Sequence, residues 1–511
     1  MPGRTPGAAR PLAPAVGRVP AVQPSPAPAA NGAPARRPVG SAGPPTEIQR
    51  RPFTPPPGSV ATRAAGGSVL NPAGSQAVLG QVNSARSVMR GANRRPLPQG
   101  QVTVHDNGGL TLNAGGRRYE VRANGALASY RANGLTAAFR PDGRLRSLQT
   151  PDMEIRHGGR GGRVIAVHRP DHTVLVSTGP RSGYLERPLV LGNRSFIHRT
   201  YVFHGAASAR FFRPYRYHGL TLPAYIAQAY YPAAFYGWMS YPWQRPVAYA
   251  WPWLGRPWYG MYRGYFAPAP YYPGAYLWLT DYVLAETMAA GYEDDSQPGD
   301  DASYTAASLP GDAELPADDE LYADADTPIG AELKAAIAEE LRQQIAAEVA
   351  MSNGDQDPSQ VDLPGSLKPN RLFVASQNLE VKTTGQRTCE LSHGDVLRLI
   401  ATPPEGASTA SLRVVAGKRY DCPAGAQVTV SLQDLQEMQN DLRAQLDAGL
   451  DALRSGQGRD GLPSAPPAAM APARPGTPGA PGAEAGVEAM LTAEQRQAGQ
   501  AESSVAQAVG N

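Results

Sequence analysis

From Gln101 onward, short runs of alternating apolar and polar residues are separated by glycines at Gly108, Gly116, Gly125, Gly134 and Gly143. Most of these follow Asn107, Asn124, Asn133 or Asp142, residue types that tolerate a left-handed backbone. Between them lie Tyr119-Glu120-Val121, Leu127-Ala128-Ser129-Tyr130 and Leu145-Arg146-Ser147-Leu148. Alternation turns one face of a strand to a core and the other to water, and Asn-Gly or Asp-Gly between two such runs closes a hairpin. Residues 99–204 are therefore predicted to form a β-hairpin array, with further strands over Val164 to Val167, Thr173 to Ser177 and Ser195 to Phe203.

The pattern then loses its period. All six tryptophans, Trp238, Trp243, Trp251, Trp253, Trp258 and Trp278, fall in residues 205–292 among many tyrosines and prolines. Frequent proline denies this aromatic hub a long helix through its centre. Two helices are predicted, one over Ala224 to Tyr231 stopped by Pro232, the other from Tyr276 to about Ala290. The hub is expected to pack against the array, Gln101 to His204, because its rings supply bulk that Gly-rich hairpins lack. Residues 293–326 are acidic, contain no basic residue and are read as a linker.

A helix is predicted over 327–353, where Thr327 caps the start and Pro328 occupies the first turn. Ile329, Leu333, Ile337, Leu341, Ile345 and Val349 then recur every four residues up to Asn353-Gly354. Four residues turn by about 400°, so the stripe drifts by about 40° per step. That suits a helix laid across a curved surface, or an oligomer contact, better than straight heptad pairing. Residues 371–456 read as a small β-domain with strands at Leu372 to Val374, Leu379 to Val381, Val396 to Ile400, Leu412 to Val415 and Val428 to Val430. Gly394-Asp395-Val396-Leu397 is similar to a strand-entry motif of PDZ domains. The carboxylate-binding loop of that family is not visible, so an SH3-like barrel is expected instead. Ser431 and Asp434 open a closing helix that carries Leu435, Met438, Leu442, Leu446, Leu450 and Leu453 to Gly456.

Composition changes the reading of both ends. Glycine (55) and proline (51) approach the share at which a chain reads as loop. Residues 1–98 and 457–511, rich in Pro, Ala and Gly, are predicted to be disordered because they offer too little apolar surface to offset ordering entropy. The predicted fold class is mixed and mostly β with long disordered segments: a β-hairpin array, an aromatic Pro-rich hub, a linker helix, and a small SH3-like β-domain with a C-terminal helix. Tyr119 to Leu148 resembles the YD-type repeats of bacterial Rhs proteins, which wrap β-hairpins into a shell. That resemblance implies a hairpin array, but this one is far too short to enclose a cargo. The whole layout resembles uncharacterised exported bacterial proteins with a Tyr/Pro-rich centre, a likeness that implies no activity.

The formal net charge of +4 conceals a division of the chain. Residues 1–292 hold 33 arginines, no lysine and 10 acids, whereas 293–511 hold 15 basic and 34 acidic residues. Halves at +23 and −19 are expected to attract, within one chain or between copies. No run of 18 apolar residues suggests a membrane-spanning helix, and Met1-Pro-Gly-Arg-Thr-Pro-Gly lacks the apolar core of a leader. The two cysteines point the other way. Cys389 and Cys422 fall together in the small β-domain, which predicts a disulfide and an oxidising, extracytoplasmic compartment, the periplasm or cell envelope.

Candidate chemistry is sparse. His168 and His172 are separated by the turn Arg169-Pro170-Asp171, and His198 and His204 have no cysteine beside them, so no metal site is expected. No nucleophile elbow, phosphate loop or paired carboxylates are legible, so neither catalysis nor a cofactor is expected. Arg156 to Arg163 resembles an RGG box and carries the alternative reading, a cytoplasmic Arg-rich nucleic-acid-binding protein. The preferred reading is a non-enzymatic interaction or structural protein of the cell envelope. Its candidate ligand-binding residues are Trp238, Trp243, Trp251, Trp253, Trp258 and Tyr259 with Arg245, Arg256 and Arg263. Rings with a polar tip suit half-wet surfaces, so cell-wall polysaccharide or a lipid surface is the expected partner, alongside self-association; equally, the same rings are expected to form a core between the two halves of the chain.

Overall fold

In a computed structural model of the protein the residues described are 98–296, 327–352, 367 and 369–509, apart from 159–161, 180, 204, 218, 386, 419–420 and 478. Apart from Pro98, the predicted disordered stretch 1–98 lies outside them, as does most of the acidic linker. Thirteen antiparallel strands follow one another in one sheet, each beside its neighbours in the chain, beginning with β1 (Gln101–Val104). The predicted turn chemistry closes them. Gly125, at φ +83°, donates its N–H to Arg122 O at 2.9 Å, while Asn124 Oδ1 accepts from Ala126 N at 3.1 Å. The same closure recurs at Gly108 and Gly143, and His172 takes the left-handed position in the turn between the two candidate histidines.

Alternation along the strands lines up a row of apolar residues. Leu112, Tyr119, Tyr130, Ala137, Leu148, Ile155 and Ile165 stand opposite one another on consecutive strands, and all are buried. The later strands include β7 (Met153–His157), β8 (Arg163–His168), β9 (Val174–Gly179), β10 (Ser182–Leu191) and β11 (Arg194–Phe203). The array does not stop near 204. It continues as β12 (Ala206–Tyr217) and β13 (Leu220–Tyr225), inside what reads from sequence as hub, with Pro214 paired opposite Pro223.

The helix expected over Ala224 to Tyr231 is absent from that place. Tyr225 ends a strand, Ala229–Tyr230 forms β14, and the helix α1 (Ala233–Ser240) begins after Pro232. Proline starts this helix rather than stopping one, since the N–H it lacks has no partner in a first turn. There follow the short α2 (Pro257–Tyr262), then α3 (Ala275–Ser296), longer than expected and reaching into the predicted linker, and α4 (Ala331–Ser352) within the predicted 327–353. The small domain is a six-stranded antiparallel sheet of β15 (Leu372–Val374), β16 (Leu379–Thr383), β17 (Thr388–Leu391), β18 (Val396–Leu399), β19 (Thr409–Ala416) and β20 (Gln427–Ser431). Its order, β15-β18-β19-β20-β16-β17, leaves β15 and β17 at the edges. The expected SH3-like barrel is therefore not closed by its hydrogen bonding; β17, unpredicted from sequence, extends the sheet outward beyond β16. Asp434 N donates to Ser431 Oγ at 3.0 Å, the predicted cap, and α5 (Leu432–Gly456) runs on to the predicted glycine.

Residues 457–511, expected to be disordered, fold over most of their length. Arg474–Pro475 pairs with β14 as β21, and α6 (Val487–Val509) lies on the array. Val487, Leu491, Ala498, Val505 and Val509, spaced by fours and sevens, join the array's apolar row in one core. That spacing is legible in the sequence, but the Pro/Gly-rich run before it dominates the composition. The hub does not close the array. Its rings share a core with Ile337, Leu341 and Ile345 of α4, Leu442, Leu446, Leu450 and Leu453 of α5, and Leu372, Val374 and Val396 of the small sheet. Those helices offer broad apolar stripes, which the narrow row of the hairpins does not. A side chain at Gly449 of α5 would stand 3.0 Å from Leu279 and Tyr282 of α3, so the glycine permits this close approach.

Candidate functional site

The hub's rings are arranged around a buried polar chain. Trp251 Nε1 donates to Tyr272 OH at 2.7 Å, and that hydroxyl donates to Asp281 Oδ2 at 2.7 Å. The same oxygen accepts from Ala269 N at 2.6 Å, while Oδ1 lies 2.6 Å from Lys334 Nζ of α4. Burial, then the Asp281 charge, push the Tyr272 hydroxyl up. Burial pushes the Lys334 ammonium down, against the pull of Asp281. Around this chain Trp251 stacks on Trp278 at 5.0 Å and on Trp253 at 5.3 Å, and Trp253 meets Trp258 at 5.3 Å.

This arrangement divides the candidate ligand-binding set. Trp243, Trp251, Trp253 and Trp258 are buried and belong to the core, not to a binding surface. Trp238 and Tyr259 are half-buried against the same core. The cause is bulk: indoles gathered within about twenty residues remove far more apolar area from water by stacking together than by lining a surface. Arg245, Arg256 and Arg263 are exposed. With them, on the same segment, are Tyr241 (72% exposed), Leu254 (45%), Met261 (65%) and Tyr271 (62%), half of the exposed large apolar side chains among the described residues. No acid occurs between Glu186 and Asp281 to offset the arginines. The hub segment thus exposes cations and apolar side chains, while its indoles form core.

Elsewhere the basic half is met by the acidic half of the same chain. Arg163 pairs with Glu502 at 3.0 Å, Arg169 with Glu494 at 2.7 Å and Arg181 with Glu488 at 2.8 Å, all between the array and α6. Arg140 and Arg146 both reach Glu380 on β16. Of the RGG-like stretch, Arg156 and His157 end β7 and Arg163 begins β8, and His157 and Arg163 are both held by Glu502. A cleft of about 300 Å³ lies between β14, the start of α1 and Ala471 to Arg474, with Tyr230, Tyr231, Tyr236 and Pro472 in its lining. Sequence reasoning missed it because one wall belongs to the segment expected to be disordered.

Cys389 and Cys422 form a disulfide, with Cα atoms 5.1 Å apart. Among the described residues no helix is long and apolar enough to cross a membrane, and no group of three or more His, Cys, Asp and Glu side chains is placed to hold a metal ion. No protein-family model, curated protein or solved structure matches the chain.

Proposed function

We propose that the protein is a non-enzymatic structural component of the cell envelope whose hub rests on an anionic lipid surface. The observation that carries this reading is that one stretch of the hub, residues 241–271, exposes Arg245, Arg256 and Arg263 together with Tyr241, Leu254, Met261 and Tyr271 and contains no acid. Guanidinium groups meet anionic headgroups, tyrosines sit at the boundary, and Leu and Met enter the first acyl layer. Aliphatic side chains favour lipid over polysaccharide, which stacks on ring faces that here are mostly buried. The disulfide supports an oxidising compartment for the small domain. Nucleic acid is the weaker reading because His157 and Arg163 of the RGG-like stretch are taken up by Glu502.

The full chain is to be sedimented with vesicles of anionic phospholipid, with zwitterionic vesicles, with anionic cell-wall polysaccharide and with RNA, at low and high salt. Binding to anionic vesicles, reduced but not abolished by salt and lost in the double variant L254D/M261D, is the expected result. Both positions are exposed, so the variant should melt with the wild type. Binding to RNA or polysaccharide alone, or to nothing, overturns the proposal.

A further inference from the structure

A buried corner of the small domain gathers two carboxylates and one of the chain's four lysines. Lys418 Nζ lies 2.7 Å from Asp395 Oδ1 and 3.1 Å from Asp421 Oδ2, and it donates to His393 O at 2.9 Å. The turn Ser392 to Asp395 fixes the first acid, whose Oδ2 accepts from Ser392 N at 3.0 Å. Ser392 Oγ fixes the second by donating to Asp421 Oδ2 at 2.5 Å. Both carboxylates are fully shielded from water, and the Lys418 side chain is 10% exposed. The hub forms the lid: Tyr265 places its ring 4.9 Å from Nζ and donates its hydroxyl to Gly394 O at 2.8 Å.

We infer that Lys418 and Asp395 condense in the folded protein into a side-chain amide, with Asp421 relaying the proton. One lysine cannot neutralise two carboxylates, so burial favours a proton on one of the two acids. Burial, and behind it Asp421, push Asp395 up to about 8 against the pull of Lys418, which is the direction this needs. Asp421, 3.1 Å from Nζ, takes a proton from the ammonium, and the amine so freed attacks the protonated Asp395 at Cγ, forming a C–N bond. Asp421 returns that proton to the departing hydroxyl, so that one C–O bond breaks and one water leaves, and it keeps the second proton that Nζ sheds. An ammonium and a carboxylate thus become an amide and water, with no oxidant, reductant or activating group consumed. Fixed contact between the partners removes the entropic cost of encounter, and exclusion of water disfavours the return reaction. The bond would close a second covalent loop inside the one made by Cys389 and Cys422, from β18 to the end of β19.

The test is a tryptic digest of the full chain, reduced, alkylated and denatured, read by mass spectrometry. Trypsin does not cut at an acylated lysine. The expected product is peptide 388–398, carrying Asp395, joined to a peptide that begins at Val414 and reads through Lys418, lighter than the sum by one water. The intact chain should be lighter by the same water. K418R keeps the cation but cannot form the amide, and D421N keeps the polar contacts but not the relay; both should show the full mass. Complete cutting after exposed Lys382 verifies the digest. A wild-type digest cut after Lys418, with 388–398 free, overturns the inference, and a link that persists in D421N overturns the role given to Asp421.

Discussion

Arg199 on β11 and Glu437 on α5 meet as a two-pronged pair, Nη1 to Oε2 at 2.7 Å and Nη2 to Oε1 at 2.8 Å, across 238 residues of chain. Arg199 is 3% exposed, also donates to Glu186 Oε2 at 2.6 Å, and has the rings of Tyr184 and Phe212 about its guanidinium. Removing it strands two acids, and breaking a buried pair from one side typically costs about 3–5 kcal/mol. R199A should therefore lower the urea midpoint markedly. R199K should fall in between, since an ammonium cannot make both prongs. An R199A midpoint equal to the wild type would show that this ion pair adds nothing to the join between the array and α5.

The C-terminal helix should behave as a separable cover. Leu491 is fully buried in the array's core, and beside its apolar contacts the helix makes ion pairs to the array that salt weakens. L491D should release α6, so that protease trims the chain back toward Gly486 and a hydrophobic dye binds the uncovered sheet. High salt should enhance both effects in L491D more than in the wild type.

The disulfide closes a loop of 33 residues in sequence separation, for which the chain-entropy account gives about 3–4 kcal/mol. Replacing both cysteines with alanine should lower stability by that order while leaving circular dichroism at low temperature unchanged. A change below about 1 kcal/mol would mean that the small sheet is held by other links, the Lys418–Asp395 bond being the first to examine.

Local signals proved the more legible. The Asn-Gly and Asp-Gly turns, the Ser431 cap, the glycine at 456 and the four-residue stripe of α4 each state their structure within a few residues, and each is where the sequence places it. Partnership was not legible. Nothing local says that α6 rather than the hub covers the array, because that depends on surfaces brought together from opposite ends of the chain. Whether the indoles are core or surface was not legible for the same reason: a ring's residue type does not tell whether a helix 80 residues away will cover it. Asp395 and Asp421 escaped notice as a pair because 26 residues separate them in sequence and only the sheet brings them to one lysine.

Asp447 of α5 carries a pH dependence whose sign can be worked out. Its Oδ2 accepts from Tyr225 OH at 2.8 Å and Gln228 N at 2.7 Å. No donor among the described residues reaches its Oδ1, nor Oε2 of the nearby Glu348, whose other oxygen accepts from Arg443 at 2.9 Å. Burial, then Glu348, push Asp447 up to about 7, whereas an unfolded aspartate titrates near about 4. Between those values the folded chain holds a proton that the unfolded chain has released. Stability from this group must therefore fall as pH rises through that window and level off above it. D447N removes the titration but keeps one oxygen for Tyr225 and Gln228, and its amide can donate to Glu348. Other buried acids titrate too, so the quantity to measure is the difference in urea midpoint between D447N and the wild type from about pH 5 to about pH 8. That difference should shift in favour of the variant as pH rises. A difference that stays flat across the range would place the proton elsewhere in the Asp447–Glu348–Arg443 group.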